Sequence, residues 1–395
     1  MSANTICHKL FQQALSNFNQ ARSKTLLDCA DALIQSNRMT LTDIGRSLRG
    51  TAHVKHKIKP VDRFLGRDKL DKDKNAIYAE LVHHLFGTLP YFVLAVDWSG
   101  CCGDDYHLLR ASLVVDGRSM PINNMVVSKA DYATRASHNR FIDELVKILN
   151  TDKKVYIVTD GGYLTPWFQH VLNQGWHVIG RLRGGTKSCI NEGDWQTVHE
   201  LHEGATSTPT YLGLAQIGKY TDSTGQFHLY LYKGKVKGRK GSSRFTKDKK
   251  MYERMADEPW LLVSSDDDLE AKQVVNLYSK RTQIEQNFRD DKSQRYGFSW
   301  RLSKSVGVKR ISALCLIRVI ATLALWLIGF EGEWRKLHHR FQANTIKHRR
   351  VLSFVSLAKQ ILKHYKRKVT HRYIANSKRN LIYYYDASVL AEMEK

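Results

Sequence analysis

No two cysteines in this chain stand in C-x-x-C spacing. The six, Cys7, Cys29, Cys101, Cys102, Cys189 and Cys315, therefore make neither a zinc ribbon nor a redox motif. Their scatter suits a reducing, cytoplasmic setting. A Gly-rich phosphate loop is missing, so no nucleotide energy source is implied. The text "HELHEG" from His199 to Gly204 lacks H-E-x-x-H spacing, which argues against a zinc peptidase. The opening "MSANTICHKLFQQ" has no long apolar core and is not expected to act as a signal peptide. No internal repeat is evident.

Acidic residues are scarce. Asp plus Glu number 38 against 62 Lys plus Arg, a formal charge of +24 over 395 residues. The length predicts two or three domains. The charge is spread along the chain and not gathered in one tail, which favours nucleic acid over a membrane surface or an acidic protein as the partner. One long apolar run, "ISALCLIRVIATLALWLIGF" from Ile311 to Phe330, is long enough to cross a bilayer. Arg318 lies near its middle, at a cost of about 2.5–3.5 kcal/mol for insertion. No second span accompanies it, so it is expected to be a helix buried in a large domain, with no membrane involved.

What is present divides into textures. Residues 1–85 read as helical and basic. "MTLTDIGRSLRG" offers a Thr cap, a short helix and a terminal Gly, and "HVKHKIKPVDRFLGRDKL" follows with Lys55, Lys57, Lys59 and Arg63. The pair predicts a helix-turn-helix; a basic surface on a small bundle fits the same text. From Tyr91 the order is β-β-β-α-β-α-β, a mixed α/β sheet whose first and fourth strands, "YFVLAVD" and "KVYIVTD", end in Asp97 and Asp160. Residues 183–268 mix short strands with "KGKVKGRKGSSRFTKDKK" (233–250), a basic loop without apolar periodicity. "PWLLVSS" is one more strand. The tail from about 335 ("RKLHHRFQ", "IKHRR", "LKHYKRK") reads as helical and basic.

The stretch "YSKRTQIEQNFRDDK" predicts one amphipathic helix from Tyr278 to Lys292. At 100° per residue, Tyr278, Arg281, Glu285 and Lys292 share an arc of roughly 60°, beside the apolar stripe and not opposite it. An exposed salt-bridged helix is the bland alternative. Asp97 and Asp160, each at a strand end before small turn residues, occupy the place where α/β sheets put ligand sites. They also fit a simple turn role. With Glu285 they make a carboxylate set free of His and Cys, which selects hard cations: Mg²⁺, with Mn²⁺ able to substitute. Metal pairs held this way serve displacement at phosphorus.

The spacing Y-x2-R-x3-E-x6-K, with "MTLTDIGRSL", "KHKIKPVDRFLGR", "VDWSG", "LRASLVVDGRS", "VTDGGY", "EPWLL" and "LYSKRTQIEQNFRDDKS", resembles the insertion-sequence-four family of bacterial DDE transposases over nearly the whole chain. The resemblance implies an RNase H-like catalytic core (86–182 and 269–335) interrupted by a β-rich insertion (183–268). It also implies a helical DNA-binding region (1–85) and a helical C-terminal region (336–395) for dimerisation. Asp97, Asp160 and Glu285 would then be the catalytic, metal-binding triad. Tyr278, Arg281 and Lys292 would hold phosphates, and Trp260 would stack on a flipped base. The implied activity is cut-and-paste transposition on double-stranded DNA by a homodimer that joins two terminal inverted repeats. An RNase H-like nuclease without strand transfer, or an inactive DNA-binding relative, would share the same carboxylates or the same fold.

Overall fold

The computed structural model describes residues 6–101, 104–115, 117–218, 225–234, 258–294, 297–343, 345–365 and 368–389. In chain order the elements are α1 (Ile6–Phe11), α2 (Gln20–Ser36), α3 (Leu41–Ser47), α4 (Val54–Leu65), α5 (Asp68–Phe86), β1 (Phe92–Gly100), β2 (Tyr106–Leu113) and β3 (Met120–Ser128). Then come α6 (Arg135–Leu149), β4 (Val155–Val158), α7 (Thr165–Leu172), β5 (His177–Leu182), β6 (Lys187–Ile190), β7 (Trp195–Thr197), α8 (Val198–His202), β8 (Thr210–Gly218), β9 (Gly225–Tyr232) and β10 (Trp260–Ser264). The last helices are α9 (Ala271–Ser279), α10 (Thr282–Lys292), α11 (Val308–Trp334), α12 (Phe354–His364) and α13 (His371–Val389).

The chain forms two compact units, one from residues 1–153 and 282–391, the other mainly from residues 154–281. In the first unit, β1, β2 and β3 make an antiparallel meander ordered β3-β2-β1. Helices end where the sequence provides caps: the Thr40 side chain accepts from the Asp43 N–H to start α3, and Thr134 does the same for Ser137 in α6. Asn37 and Asn150 close α2 and α6 in the left-handed conformation. The long apolar run is α11, buried along its whole membrane-length window. It is the core around which α2, α12, α13 and β3 pack. A helix apolar all round belongs in such a place. Arg318, fully buried within it, is ion-paired to Asp291 at 2.8 Å.

The second unit is a mixed sheet ordered β4-β5-β10-β9-β8-β6-β7, in which only β4 and β5 pair in parallel. The strands from residues 187–232 thus join the same sheet as β4 and β5, through β10. Helix α9 packs on β5, β8, β9 and β10.

Several local expectations change. Asp97 is not a strand terminus, because β1 runs on to Gly100; only the buried part of the strand stops before it, at Val96. Asp160 lies two residues beyond β4, after the buried Thr159. Among the described residues of the tail, α-helix is confined to α12 and α13: Leu337–Arg340 is a single 3₁₀ turn, and the "IKHRR" text has no helix. The basic loop lies outside the described residues from 235 on.

Candidate active site

The predicted helix from Tyr278 to Lys292 is two helices. Lys280 and Arg281 form a turn, with their N–H groups donating to Leu277 and Tyr278 carbonyls at 3.2 and 3.0 Å. These i→i−3 bonds tighten the chain and end α9. The expected arc assumed one continuous helix, and that helix is interrupted at Lys280–Arg281. Tyr278 and Arg281 belong to the second unit, Glu285 and Lys292 to the first.

In the first unit, strand register decides which side of the sheet Asp97 occupies. Asp97 pairs with Arg110 across β1 and β2, and directly opposed residues project to the same face. Arg110 reaches α10, donating to Asn287 at 2.8 Å and pairing with Asp291 at 2.9 Å. Asp97 thus lies on the sheet face that α10 covers. Its Oδ1 accepts from the Trp98 N–H at 2.8 Å, and the side chain is half-exposed. Glu285 stands on the exposed side of α10. Trp98 points to the other face, where its Nε1 donates to His138 Nε2 at 3.0 Å. Burial pushes His138 down to about 4, which keeps that nitrogen an acceptor.

Helix α10 is held by polar groups, not by an apolar stripe alone. Gln283 bonds Val115 through both backbone groups, at 3.0 and 2.9 Å. Asn287 donates to the Ser119 carbonyl at 2.6 Å, and Asp290 pairs with Arg118 at 2.7 Å. Asp291, nearly fully buried, takes both Arg110 and Arg318. Gln283, Asn287 and Asp291 recur every four residues, so they form one inward row. Periodicity of apolar residues misses such a row; the visible signal was Arg318, a cation in an apolar run without a named partner. Lys292, at the end of α10, is half-buried, and burial together with Arg301 lowers its pKa.

In the second unit, Asp160 Oδ1 accepts from the Gly162 N–H at 2.9 Å, turning the chain at once after β4. Gly161 has no room for a side chain, since Arg183 lies across it: a Cβ there would meet the Arg183 stem at 2.6 Å. Arg181 and Arg183 of the β5 end share Glu258 at 3.0 and 3.1 Å. Tyr278 is buried; burial raises its hydroxyl pKa against the opposing pull of Arg281 and Arg181, and Asp160 also raises it. Trp260 is half-exposed at the start of β10, edge-on to Tyr278 at 4.9 Å and to Tyr232 at 5.9 Å. Arg181, Arg183 and Glu258 went unnoticed in the sequence because nothing in their spacing links them.

At the N-terminus, α3 and α4 follow one another, which a helix-turn-helix and a small basic bundle share. Lys55, Lys59 and Arg63 are exposed at i, i+4 and i+8 on one side of α4, whereas Lys57 is half-buried on another.

The family model for the transposase DDE domain matches residues 93–323, more than half of the chain. The chain belongs to the DDE transposase family. The matched span holds Asp97, Asp160, Trp260, Tyr278, Arg281, Glu285 and Lys292. No curated protein matches the chain. The mixed α/β architecture is consistent with the RNase H-like fold of a DDE transposase, an enzyme family that acts on DNA and generally uses divalent metal. Each carboxylate of the expected motif, taken by itself, has side-chain chemistry that suits such an ion. Asp97, Asp160 and Glu285 are water-accessible carboxylates, hard oxygen donors of the kind Mg²⁺ prefers. A separate acidic group, Asp266–Asp268 just after β10, brings three carboxylates within 4.8 Å of one another. Lys154 pairs with Asp266 at 3.5 Å and Asp268 at 3.2 Å, and Tyr156 donates to Asp266, so that group already has its counter-charge.

Proposed function

We propose that this DDE transposase carries out cut-and-paste transposition, as a member of the insertion-sequence-four branch most like the transposase of insertion sequence ten. The observation that carries the reading is the family match across 93–323, which includes all three carboxylates of the motif. In this reading Asp97, Asp160 and Glu285 hold Mg²⁺, or Mn²⁺ in its place. Bound metal supplies an activated water or 3′-hydroxyl and stabilises the leaving oxygen in each in-line displacement. The row on α10 keeps Glu285 from rotating, and β1 keeps Asp97 on the α10-facing side of its sheet. Arg281 and Lys292 position the phosphates of the cleaved end. Four displacements use one site in turn: nicking, attack of the freed 3′-hydroxyl to form a hairpin, hairpin opening, and strand transfer into target DNA. Residues 183–268 are the insertion of an RNase H-like core, α3 and α4 read the inverted repeats, and two protomers pair the ends through the C-terminal region. The setting is the cytoplasm, at the nucleoid.

The test is nicking of a labelled terminal repeat in Mg²⁺. Asp97→Ala, Asp160→Ala and Glu285→Ala are each expected to abolish nicking while gel-shift binding to the end persists. Nicking near the wild-type rate by any of the three removes that residue from the site.

A further inference from the structure

No Asp or Glu stands between Glu333 and Asp386, while Lys and Arg occur fourteen times in that interval. Among the described residues, some of those cations are engaged within the first unit and others are exposed. Arg335 pairs with Glu331 at 2.6 Å and Arg350 with Glu333 at 2.8 Å, both acids lying on α11 before the acid-free stretch. Lys359 is turned inward, donating to the Gly297 carbonyl at 3.1 Å. Arg340, Lys363, Lys368 and Arg372, by contrast, are exposed.

Two of these cations meet at Tyr365, and in the chain Lys363 stands two residues before that tyrosine and Arg372 seven after it. Arg340 Nη1 donates to the Tyr365 hydroxyl at 3.0 Å, and Lys368 Nζ stands 4.7 Å from the centre of the same ring. Phe341 packs against Tyr365 at 5.7 Å and against His364 at 5.8 Å, which fixes the ring that both cations use. Two like charges on one exposed tyrosine repel only weakly in water, and an anion seated beside both would be attracted by both. Helix α12 turns its apolar residues, Phe354, Val355, Leu357, Ala358 and Ile361, inward, so it offers no apolar face for a bilayer. The cations come from separate segments, before α12, at its end and at the start of α13. An extended array of this kind suits a polyanion with regularly repeated charge better than a single small anion.

We infer that the surface formed by Arg340, Lys363, Tyr365, Lys368 and Arg372 binds the phosphate backbone of duplex DNA, as a contact separate from α4 and from the carboxylates. The inference rests on the transposase reading only for the choice of polymer. The contact is sequence-independent, since phosphate contacts carry no sequence information directly.

The experiment uses the full chain and a short duplex without transposon ends, in buffer without divalent metal, so that cleavage plays no part. Binding is measured against salt for the wild type and for Arg340→Gln/Lys363→Gln/Lys368→Gln/Arg372→Gln. Each lost phosphate contact lowers the magnitude of the log–log slope by about 0.9, so a reduction of roughly 2 to 4 is expected. The swap Arg340→Lys/Lys368→Arg keeps the charge and is expected to keep the wild-type slope. All variants change exposed side chains and are expected to melt with the wild type. An unchanged slope in the quadruple variant overturns the inference. So does a variant whose duplex binding is normal but whose binding to phosphatidylserine vesicles is lost, which would assign the surface to a membrane. Nicking by the carboxylate variants would sink the proposed chemistry and leave this result untouched.

Discussion

Asp291 shows how much can rest on one side chain. It is the carboxylate between two fully buried guanidinium groups, Arg110 and Arg318, with Asn287 and Asn124 completing the hydrogen bonds of Arg110. Removing the carboxylate leaves both cations buried and uncompensated. Asp291→Leu is therefore expected to lose about 3–5 kcal/mol of stability by chemical denaturation. Removing a cation with it, in Asp291→Leu/Arg318→Met, should recover at least half of that loss, because an apolar pair of similar volume is often neutral relative to a buried ion pair. If the double variant is no more stable than the single one, the pair is not a unit. Trp260 makes the opposite case, a large aromatic that is not core. It is half-exposed at the head of β10 and braced edge-on by Tyr278 and Tyr232. Extruding a base to relieve a hairpin costs a few kcal/mol, and stacking returns about 1–3 kcal/mol. Trp260→Ala is expected to bind and nick normally but to form hairpins roughly ten- to a hundredfold more slowly. An abasic position at the flipped base should restore part of the rate. Hairpins at the wild-type rate would return Trp260 to a packing role.

Elements were legible where a single periodicity governs them. The alternation of strands and helices from β1 to β5 follows from apolar runs bounded by turn residues, and α3 follows from its Thr40 cap. Helix α11 was legible as buried because a lone 20-residue apolar run with a cation in it has no better place. What stayed hidden depends on partners distant in sequence. The break at Lys280–Arg281 leaves no Pro or Gly behind it. The polar row of α10 looks like a solvated face until Val115, Ser119 and Arg110 are seen opposite it. Of the candidate site, the residue types could be read, but Asp97 stands inside β1 and not at its end, and Arg181, Arg183 and Glu258 could not be read, since β5 and the residues before β10 meet only in the fold. Close packing between elements is hidden in the same way. Gly329, in the middle of α11, lies directly against the backbone of Phe354 at the start of α12, where a Cβ has no space and the obstacle cannot rotate away. Gly329→Ala is thus expected to destabilise by on the order of 3 kcal/mol, despite the better helix propensity of Ala. Thermal melting checks it, and a melting temperature equal to or above the wild type would show that α11 and α12 can separate without penalty.

At the scale of the whole molecule the dominant quantity is the formal charge of +24. Like charges at this density repel, so without DNA the fold works against its own field, and added salt relieves it by screening. With duplex DNA the sign reverses. Binding to the folded chain but not to the unfolded one stabilises by RT ln(1 + [L]/Kd), and Kd rises steeply with salt because counterion release gains less free energy in more concentrated salt. Exposed cations on α4, with those of the C-terminal surface, supply enough contacts that at least six phosphates are expected to be neutralised, a log–log slope steeper than about −5. Two melting curves should therefore converge. In the absence of DNA the melting temperature rises as salt increases. In excess duplex it starts higher and falls until the two coincide, at the salt concentration where Kd passes the free duplex concentration. Calorimetry over a salt series, with and without duplex, measures both arms. A melting temperature that falls with salt in the absence of DNA would mean that internal ion pairs such as those of Asp291 and Glu258 outweigh the surface repulsion. A duplex arm that ignores salt would mean that the cations stand off the phosphates, and the basic composition would need a different polyanion.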